Sequence, residues 1–357
     1  MRAPILVAGV VIAAAIGVRA TDARQERPGG QGFSFRTGVE LINVTATVTD
    51  AQGRFVGNLR ADDFELYEDG KRQQIQQFDA ERVPVSLGIA LDTSGSMLGE
   101  KIAAAQAALN RFLFDLLGNQ DEVFLYRFDS RPDMVQSWTS DRQAVARALG
   151  TVRPNGGTAM YDTVAEALPL AQSGTRRKKA LVVISDGNDT SSRTRIDDLR
   201  QLIRETEVLV YAIGIDASGQ APQGYSPPSS GQSAPRTINV PSPFPGKGPK
   251  TQPAPAPPPP PPPSSPPRSS RSRGNVDRVN PDALHAMTDD SGGRTEIIYS
   301  PRDLDPATAG IASELSQQYF LGYNSTLPKD GRWHSIELRV VRNGGYTVRA
   351  RKGFIAN

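Results

Sequence analysis

A chain of 357 residues has room for two or three domains. Its 41 Lys and Arg against 38 Asp and Glu leave a formal charge of +3, which gives no electrostatic case for nucleic acid as a partner. With Cys at 0, a disulfide framework, a lipidated cysteine and thiolate metal chemistry are all excluded.

Residues 1–20 read as an export signal, with Arg2 as the charged start, an apolar run from Ala3 to Val18 and Val18-Arg19-Ala20 as a small-x-small cleavage site. The run is shorter than the roughly 20 residues of a membrane span; retained uncleaved, it would be the only membrane anchor the reading supplies. The expected location is therefore outside the cytoplasm: periplasmic, cell-surface or secreted. A polar linker follows over 21–37.

Residues 38–80 read as a first β segment. Period-2 alternation from Val39 to Val48 stops at the turn Asp50-Ala51-Gln52-Gly53, and Phe64 to Glu68 is followed by the hairpin pair Asp69-Gly70 and then by Ile75 and Phe78. From Val83 short apolar strands alternate with helical periodicity, the pattern of a doubly wound α/β sheet, mostly parallel. The strands are Ser86–Leu91, Glu122–Phe128, Ala180–Ser185 and Val208–Ile213. Between the first two, Ile102, Ala105, Leu109, Phe112 and Leu116 fall on one helical face. Further helices fit Gln143–Leu149, Tyr161–Ala171 and Ile196–Glu205. The basic run Arg176-Arg177-Lys178-Lys179 reads as a solvated loop.

Over 217–275 the chain carries 19 of its 29 prolines, and this segment is expected to be a solvated, partly polyproline II tether, disordered rather than packed. Beyond it come a helix over Pro281–Met287, the turn Ser291-Gly292-Gly293, a strand over Thr295–Ile298 and a helix over Leu304–Gln317. A second β segment, 319–357, holds Tyr319–Tyr323, Ser335–Val341, the turn Asn343-Gly344-Gly345 and Tyr346–Arg351. Neither β segment has strands enough to stand alone. The expectation is one small antiparallel β domain into which the α/β module, 82–318, is inserted, with Phe78 and Tyr319 close together.

The chemistry is concentrated in Leu91-Asp92-Thr93-Ser94-Gly95-Ser96-Met97. It follows an apolar strand and precedes a helix, which is where open α/β sheets bind ligands. Asp92, Ser94 and Ser96 offer one carboxylate and two hydroxyls around Gly95. Gly156-Gly157-Thr158 and Ser185-Asp186-Gly187 open or close neighbouring elements on the same sheet edge. Asp92, Ser94, Ser96, Thr158 and Asp186 together form an all-oxygen set that suits a hard cation, one donor short of an octahedron.

This D-x-S-x-S, T, D pattern resembles the metal-ion-dependent adhesion site (MIDAS) of von Willebrand factor A (VWA) domains, a Rossmann-like fold. The resemblance extends over about 82–318 without the tether, through Asp121, Arg127-Phe128 and Tyr211-Ala212-Ile213-Gly214. Phe64-Glu65-Leu66-Tyr67-Glu68-Asp69-Gly70 ahead of the module looks like the exported bacterial "VWFA-related domain" proteins. The resemblance implies Mg²⁺, with Mn²⁺ or Ca²⁺ as the other hard cations, held directly by Ser94 and Ser96, directly or through water by Thr158, and largely through water by Asp92 and Asp186. It implies a protein partner whose Asp or Glu carboxylate takes the sixth position, as in adhesion or envelope assembly, and no enzyme activity.

Two other classes are weighed beside it. In one, the metal only stabilises a structural scaffold. In the other, Ser94 is a hydrolase nucleophile; there Asp92 stands where a nucleophile elbow has glycine, and the only general bases are His285 and His334.

Overall fold

The computed structural model describes residues 40–216, 225, 227 and 279–356. The expected export signal, the expected linker and, apart from Tyr225 and Pro227, the proline-rich segment lie outside the described residues. Among the described residues no helix is long and apolar enough to cross a membrane.

The first strand, β1 (Glu40–Thr49), buries Ile42, Val44, Ala46 and Val48 and leaves Leu41 exposed, as its alternation requires. β2 (Phe64–Glu68) turns Phe64, Leu66 and Glu68 inward. Asp69 and Gly70 then have φ of 47° and 75°, the two left-handed residues of a tight hairpin turn into β3 (Lys71–Gln73). After Gln74 the chain changes sheets: β4 (Ile75–Asp79) pairs with a strand from the far end of the sequence.

The module begins with β5 (Val85–Asp92), buried along its whole length as a central parallel strand must be. α1 (Glu100–Arg111) follows, and its predicted continuation through Leu116 widens into a π turn over Phe112–Leu116. β6 (Glu122–Phe128) pairs with β5 in parallel, and β7 (Pro132–Thr139), a strand not anticipated above, adds to β6 antiparallel. Next come α2 (Arg142–Thr151), capped by Asp141 accepting from the Gln143 amide at 2.9 Å, and α3 (Met160–Gln172). β8 (Lys178–Ser185), α4 (Ile196–Arg204) and β9 (Leu209–Ile215) lead to α5 (Pro281–Thr288), β10 (Thr295–Ile298) and α6 (Leu304–Gln317).

The six strands lie in the order β10-β9-β8-β5-β6-β7. Successive strands are added first on one side of β5 and then, from β8, on the other, so the strand order reverses between these two parallel strands, the switch point at which an open α/β sheet leaves a crevice at its carboxyl edge. One face is covered by α1, α2 and α6, where Leu109, Leu149 and Ile311 join Leu87, Ile89 and Leu91. The other is covered by α3, α4 and α5, where Val164, Leu199 and Leu284 pack on Phe124, Val183 and Val210.

After α6 the chain returns to antiparallel pairing through β11 (Tyr319–Ser325), β12 (Trp333–Val340), β13 (Thr347–Ala350) and the three-residue β14 (Gly353–Ile355). Strands from both ends of the sequence share each sheet, in the orders β13-β1-β11-β4 and β14-β12-β2-β3. One core of Val44, Val48, Leu66, Leu321, Tyr323, Ile336 and Phe354 lies between them. Phe78 and Tyr319 stack with ring centroids 5.7 Å apart, and Phe64 meets the Tyr319 ring edge-on at 5.2 Å.

The β strands and the module meet at Glu314 of α6, whose side chain is almost fully buried. It accepts from the Thr47 hydroxyl at 3.0 Å and the Tyr211 hydroxyl at 2.9 Å, and pairs with Arg294 and Arg349. Lys178 corrects the reading of its basic run as a solvated loop. It belongs to β8, is 1% exposed, and donates to the Leu315 carbonyl at 2.6 Å, satisfying a backbone acceptor at the C-terminus of α6. Burial pushes its pKa down to about 8.

His334 of β12 is also structural. Its Nδ1 is 2.7 Å from Asp69 of the hairpin turn and its Nε2 is 3.3 Å from Asp330. Burial opposes its protonation, but the hydrogen bonds to the two carboxylates outweigh that and hold its pKa above the usual value. A folded-state pKa raised in this way adds stability below the unfolded value of about 6.5, and that stability is lost as pH rises through the folded value. Wild type should therefore exceed His334→Gln in melting temperature by more at about pH 5 than at about pH 9. Equal gaps at both pH values would remove the protonated ring as a contributor.

Candidate metal centre

Three loops meet at the carboxyl edge beside the β5/β8 switch point. The first is fixed from within, since the Ser94 amide donates to Asp92 Oδ1 at 2.8 Å, folding the backbone back over the carboxylate. It is fixed from outside by Thr93, whose amide donates to the Phe128 carbonyl at 2.7 Å. Ser94 Oγ and Ser96 Oγ stand 3.0 Å apart, and Ser96 Oγ donates to Asp186 Oδ1 at 2.8 Å. The Ser185 hydroxyl donates to Asp92 Oδ2. Asp92, Ser94, Ser96 and Asp186 are thus one hydrogen-bonded cluster.

The Thr158 loop reaches the cluster through its backbone. The Gly95 amide donates to the Gly156 carbonyl at 3.0 Å, and the Asn155 amide to the Thr93 carbonyl at 2.8 Å. Gly156 has φ of 73°, and a Cβ there would stand 2.7 Å from Ser130 Oγ, so both conformation and space call for glycine. Thr158 Oγ1 lies 3.6 Å from where a Cβ on Gly187 would sit, which puts its hydroxyl beside the Asp186 loop.

The second and third loops also clamp each other. The Thr158 amide donates to Thr190 Oγ1 at 3.0 Å, and the amides of Thr190 and Ser191 return to the Thr158 carbonyl. Asp189 and Ser192 then accept from the Tyr161 and Asp162 amides in the first turn of α3, at 2.8 and 2.9 Å. These partners of α3 come from the loop after β8, so the Thr158 and Asp186 loops are built as a unit. Sequence reasoning named Ser185 only as the start of the Asp186 loop and did not single out Asp189 or Thr190. The signal was a run of Ser, Thr and Asp beyond an apolar strand, more hydroxyls than one turn needs.

Asp92, Ser94, Thr158 and Asp186 are buried, whereas Ser96 is exposed and marks the side from which solvent or a ligand reaches the cluster. Burial pushes the pKa of Asp92 up to about 6; the hydrogen bonds from Ser185 and Ser94 oppose the rise, and the charge of Asp186 adds to it. Two buried carboxylates side by side are the environment a cation relieves. The donor set fits a hard ion: it is all oxygen and rich in neutral hydroxyls. Among the described residues no group of three or more His, Asp or Glu is placed to hold a metal, so the hydroxyls are indispensable to this reading. Lys101, which the sequence reading passed over, also enters: its ammonium pairs with Asp186 Oδ2 and donates to the Ser96 carbonyl at 3.1 Å.

A doubly wound sheet with oxygen-bearing loops at its switch point defines the class as an open α/β module. Comparison with known proteins finds that residues 87–188 match the sequence model of the von Willebrand factor type A domain. Inter-alpha-trypsin inhibitor heavy chain H4 of Sus scrofa is 26% identical over 133 residues, 34% of this chain and 14% of that protein. An uncharacterised protein of Synechocystis is 26% identical over 137 residues, 37% of this chain and 32% of its own. The chain thus matches less than a third of the length of either relative.

Solved structures of similar shape include BatB from Bacteroides thetaiotaomicron, with 20% identity and a TM-score of 0.43 over 65% of this chain and 97% of that one. A von Willebrand factor type A protein from Catenulispora acidiphila has 13% identity and a TM-score of 0.44 over 90% and 75%.

Proposed function

We propose that the module binds a partner protein outside the cytoplasm through a divalent cation, Mg²⁺ first, held by Asp92, Ser94, Ser96, Thr158 and Asp186. The observation that carries this reading is the convergence of three loops into one oxygen cluster in which Ser96 is the exposed member of the five. Bound there, the ion would supply a Lewis-acidic position for an incoming carboxylate oxygen.

The chain's own residues do the remaining work. Ser94, Ser96 and Thr158 present uncharged oxygens, so an ion among them keeps most of its attraction for a further anion. Asp92 accepts from the Ser94 amide and the Ser185 hydroxyl and Asp186 accepts from the Ser96 hydroxyl, which fixes the turn carrying Ser94 and the position of the Ser96 hydroxyl. The interlocked second and third loops prevent Thr158 from drifting relative to Asp186.

Of the other two classes, the scaffold finds little support, because the cluster already has a protein cation in Lys101 and a fold closed by its own hydrogen bonds. For a hydrolase, Ser94 and Ser96 bond each other and Asp186, while both ring nitrogens of His334 face carboxylates of the β domain's turns, Asp69 and Asp330.

The test is capture from envelope extract by the full chain in Mg²⁺ or in EDTA, beside thermal unfolding in both. A partner retained only in Mg²⁺, with the melting temperature nearly unchanged by EDTA, is the expected result. A large fall in melting temperature with no metal-dependent partner would favour the scaffold.

A further inference from the structure

We propose that Lys101 is a tethered counter-ion of the metal centre: it neutralises Asp186 when no ion is bound, must yield to the ion, and then gives the loaded site the net charge that selects a carboxylate. This inference rests on the proposed metal centre and concerns a residue outside its oxygen set.

Lys101 occupies the first turn of α1, the end of a helix where a positive side chain meets the dipole unfavourably. Helix stability therefore does not account for its presence there. Its contacts do: the ammonium pairs with Asp186 Oδ2 and donates to the Ser96 carbonyl, the backbone of one proposed ligand and the side chain of another. The Asp186 side chain is fully buried, and that of Lys101 is 24% exposed. A buried carboxylate without a partner is costly, and Lys101 supplies the partner from a flexible stem that can swing toward solvent.

Counting the charges in the cluster gives the selectivity. Asp92 and Asp186 against Lys101 leave one negative charge before an ion enters. A divalent ion with Lys101 still at the rim leaves one positive charge, which a single carboxylate cancels. Without Lys101 the loaded cluster is already neutral, and an incoming carboxylate would leave it negative. One side chain thus weakens the metal and strengthens the partner, two effects of opposite sign.

The experiment uses the full chain with Mn²⁺ as the metal probe and acetate as the minimal carboxylate. Water-proton relaxation reads both the bound Mn²⁺ and the displacement of its water by acetate. Lys101→Met should bind Mn²⁺ about tenfold or more tightly than wild type, because repulsion between two cations a few ångströms apart is removed. In the same variant acetate should displace water several-fold less readily, and Lys101→Arg should restore both values to near wild type. In EDTA, Lys101→Met should melt several degrees lower than wild type, since Asp186 loses its charged partner and keeps only the Ser96 hydroxyl.

Equal or weaker Mn²⁺ binding by Lys101→Met, or unchanged acetate competition, overturns the counter-ion role while leaving the metal centre standing. An unchanged melting temperature in EDTA overturns the metal-free pairing. Absence of Mn²⁺ binding by wild type itself overturns the metal centre and this inference with it.

Discussion

Alanine at Asp186 or at Asp92 is expected to remove Mg²⁺ binding from the purified chain. Both carboxylates hold the loops that would touch the ion: Asp186 accepts from the Ser96 hydroxyl, and Asp92 accepts from the Ser94 amide and the Ser185 hydroxyl, fixing the turn that carries Ser94. Deleting such an orienting group costs metal sites about 10- to 100-fold in affinity, and here it also removes one of two negative charges. Calorimetric titration should show wild-type heat of binding and none above dilution in either variant. Circular dichroism should show the fold retained, because the loops are also pinned through the backbone by Thr93, Asn155 and Gly95. Wild-type affinity in both variants would remove these five residues as the metal centre.

Truncation before Tyr319 should have the larger structural effect. It deletes β11, β12, β13 and β14, so that β1 loses the strands on both of its sides and β2 keeps only the short β3. The lost core includes Leu321, Tyr323, Ile336 and Phe354, and a remnant of so few strands is at best marginally stable in water. Hydrogen exchange should then find Leu41 to Val48 unprotected, while Leu87 to Leu91 in the module stay protected. Retained protection of Leu41 to Val48 would mean that the N-terminal strands hold together without β11.

The parts of this architecture legible in sequence are those whose burial is local in pattern. β5, β8 and β9 stand out as apolar runs because a central parallel strand is covered on both faces, and the start of α1 through its 3-and-4 spacing. β7 left no such trace. It is an edge strand, half exposed and out of register with β6 at two points, so no alternation survives. β14 is too short to show a period.

Candidate site residues divide in the same way. Asp92, Ser94 and Ser96 sit within one turn and carry their pattern with them. The roles of Lys101 and Lys178 depend on partners far along the chain, an aspartate 85 residues away and a carbonyl 137 residues away. A lysine in a basic run looks solvated until the fold brings it an acceptor.

One feature of the connectivity bears on how the molecule assembles. β4 and β11 pair antiparallel, with Asp79 opposite Phe320, as the two arms of a hairpin would, and everything from residue 80 to residue 318 occupies the place of the turn. Closing so long a loop from an unfolded chain is slow, because the entropy is lost before any strand contact rewards it. Once the module has folded, its first strand and last helix hold the two arms near each other, and the long loop behaves as a short one. Assembly therefore has a direction: the module nucleates first, and β1 to β4, though synthesised earliest, wait with open edges for β11 to arrive. A mutation that slows folding of the α/β core should consequently expose the β strands to aggregation, even when the finished protein is equally stable.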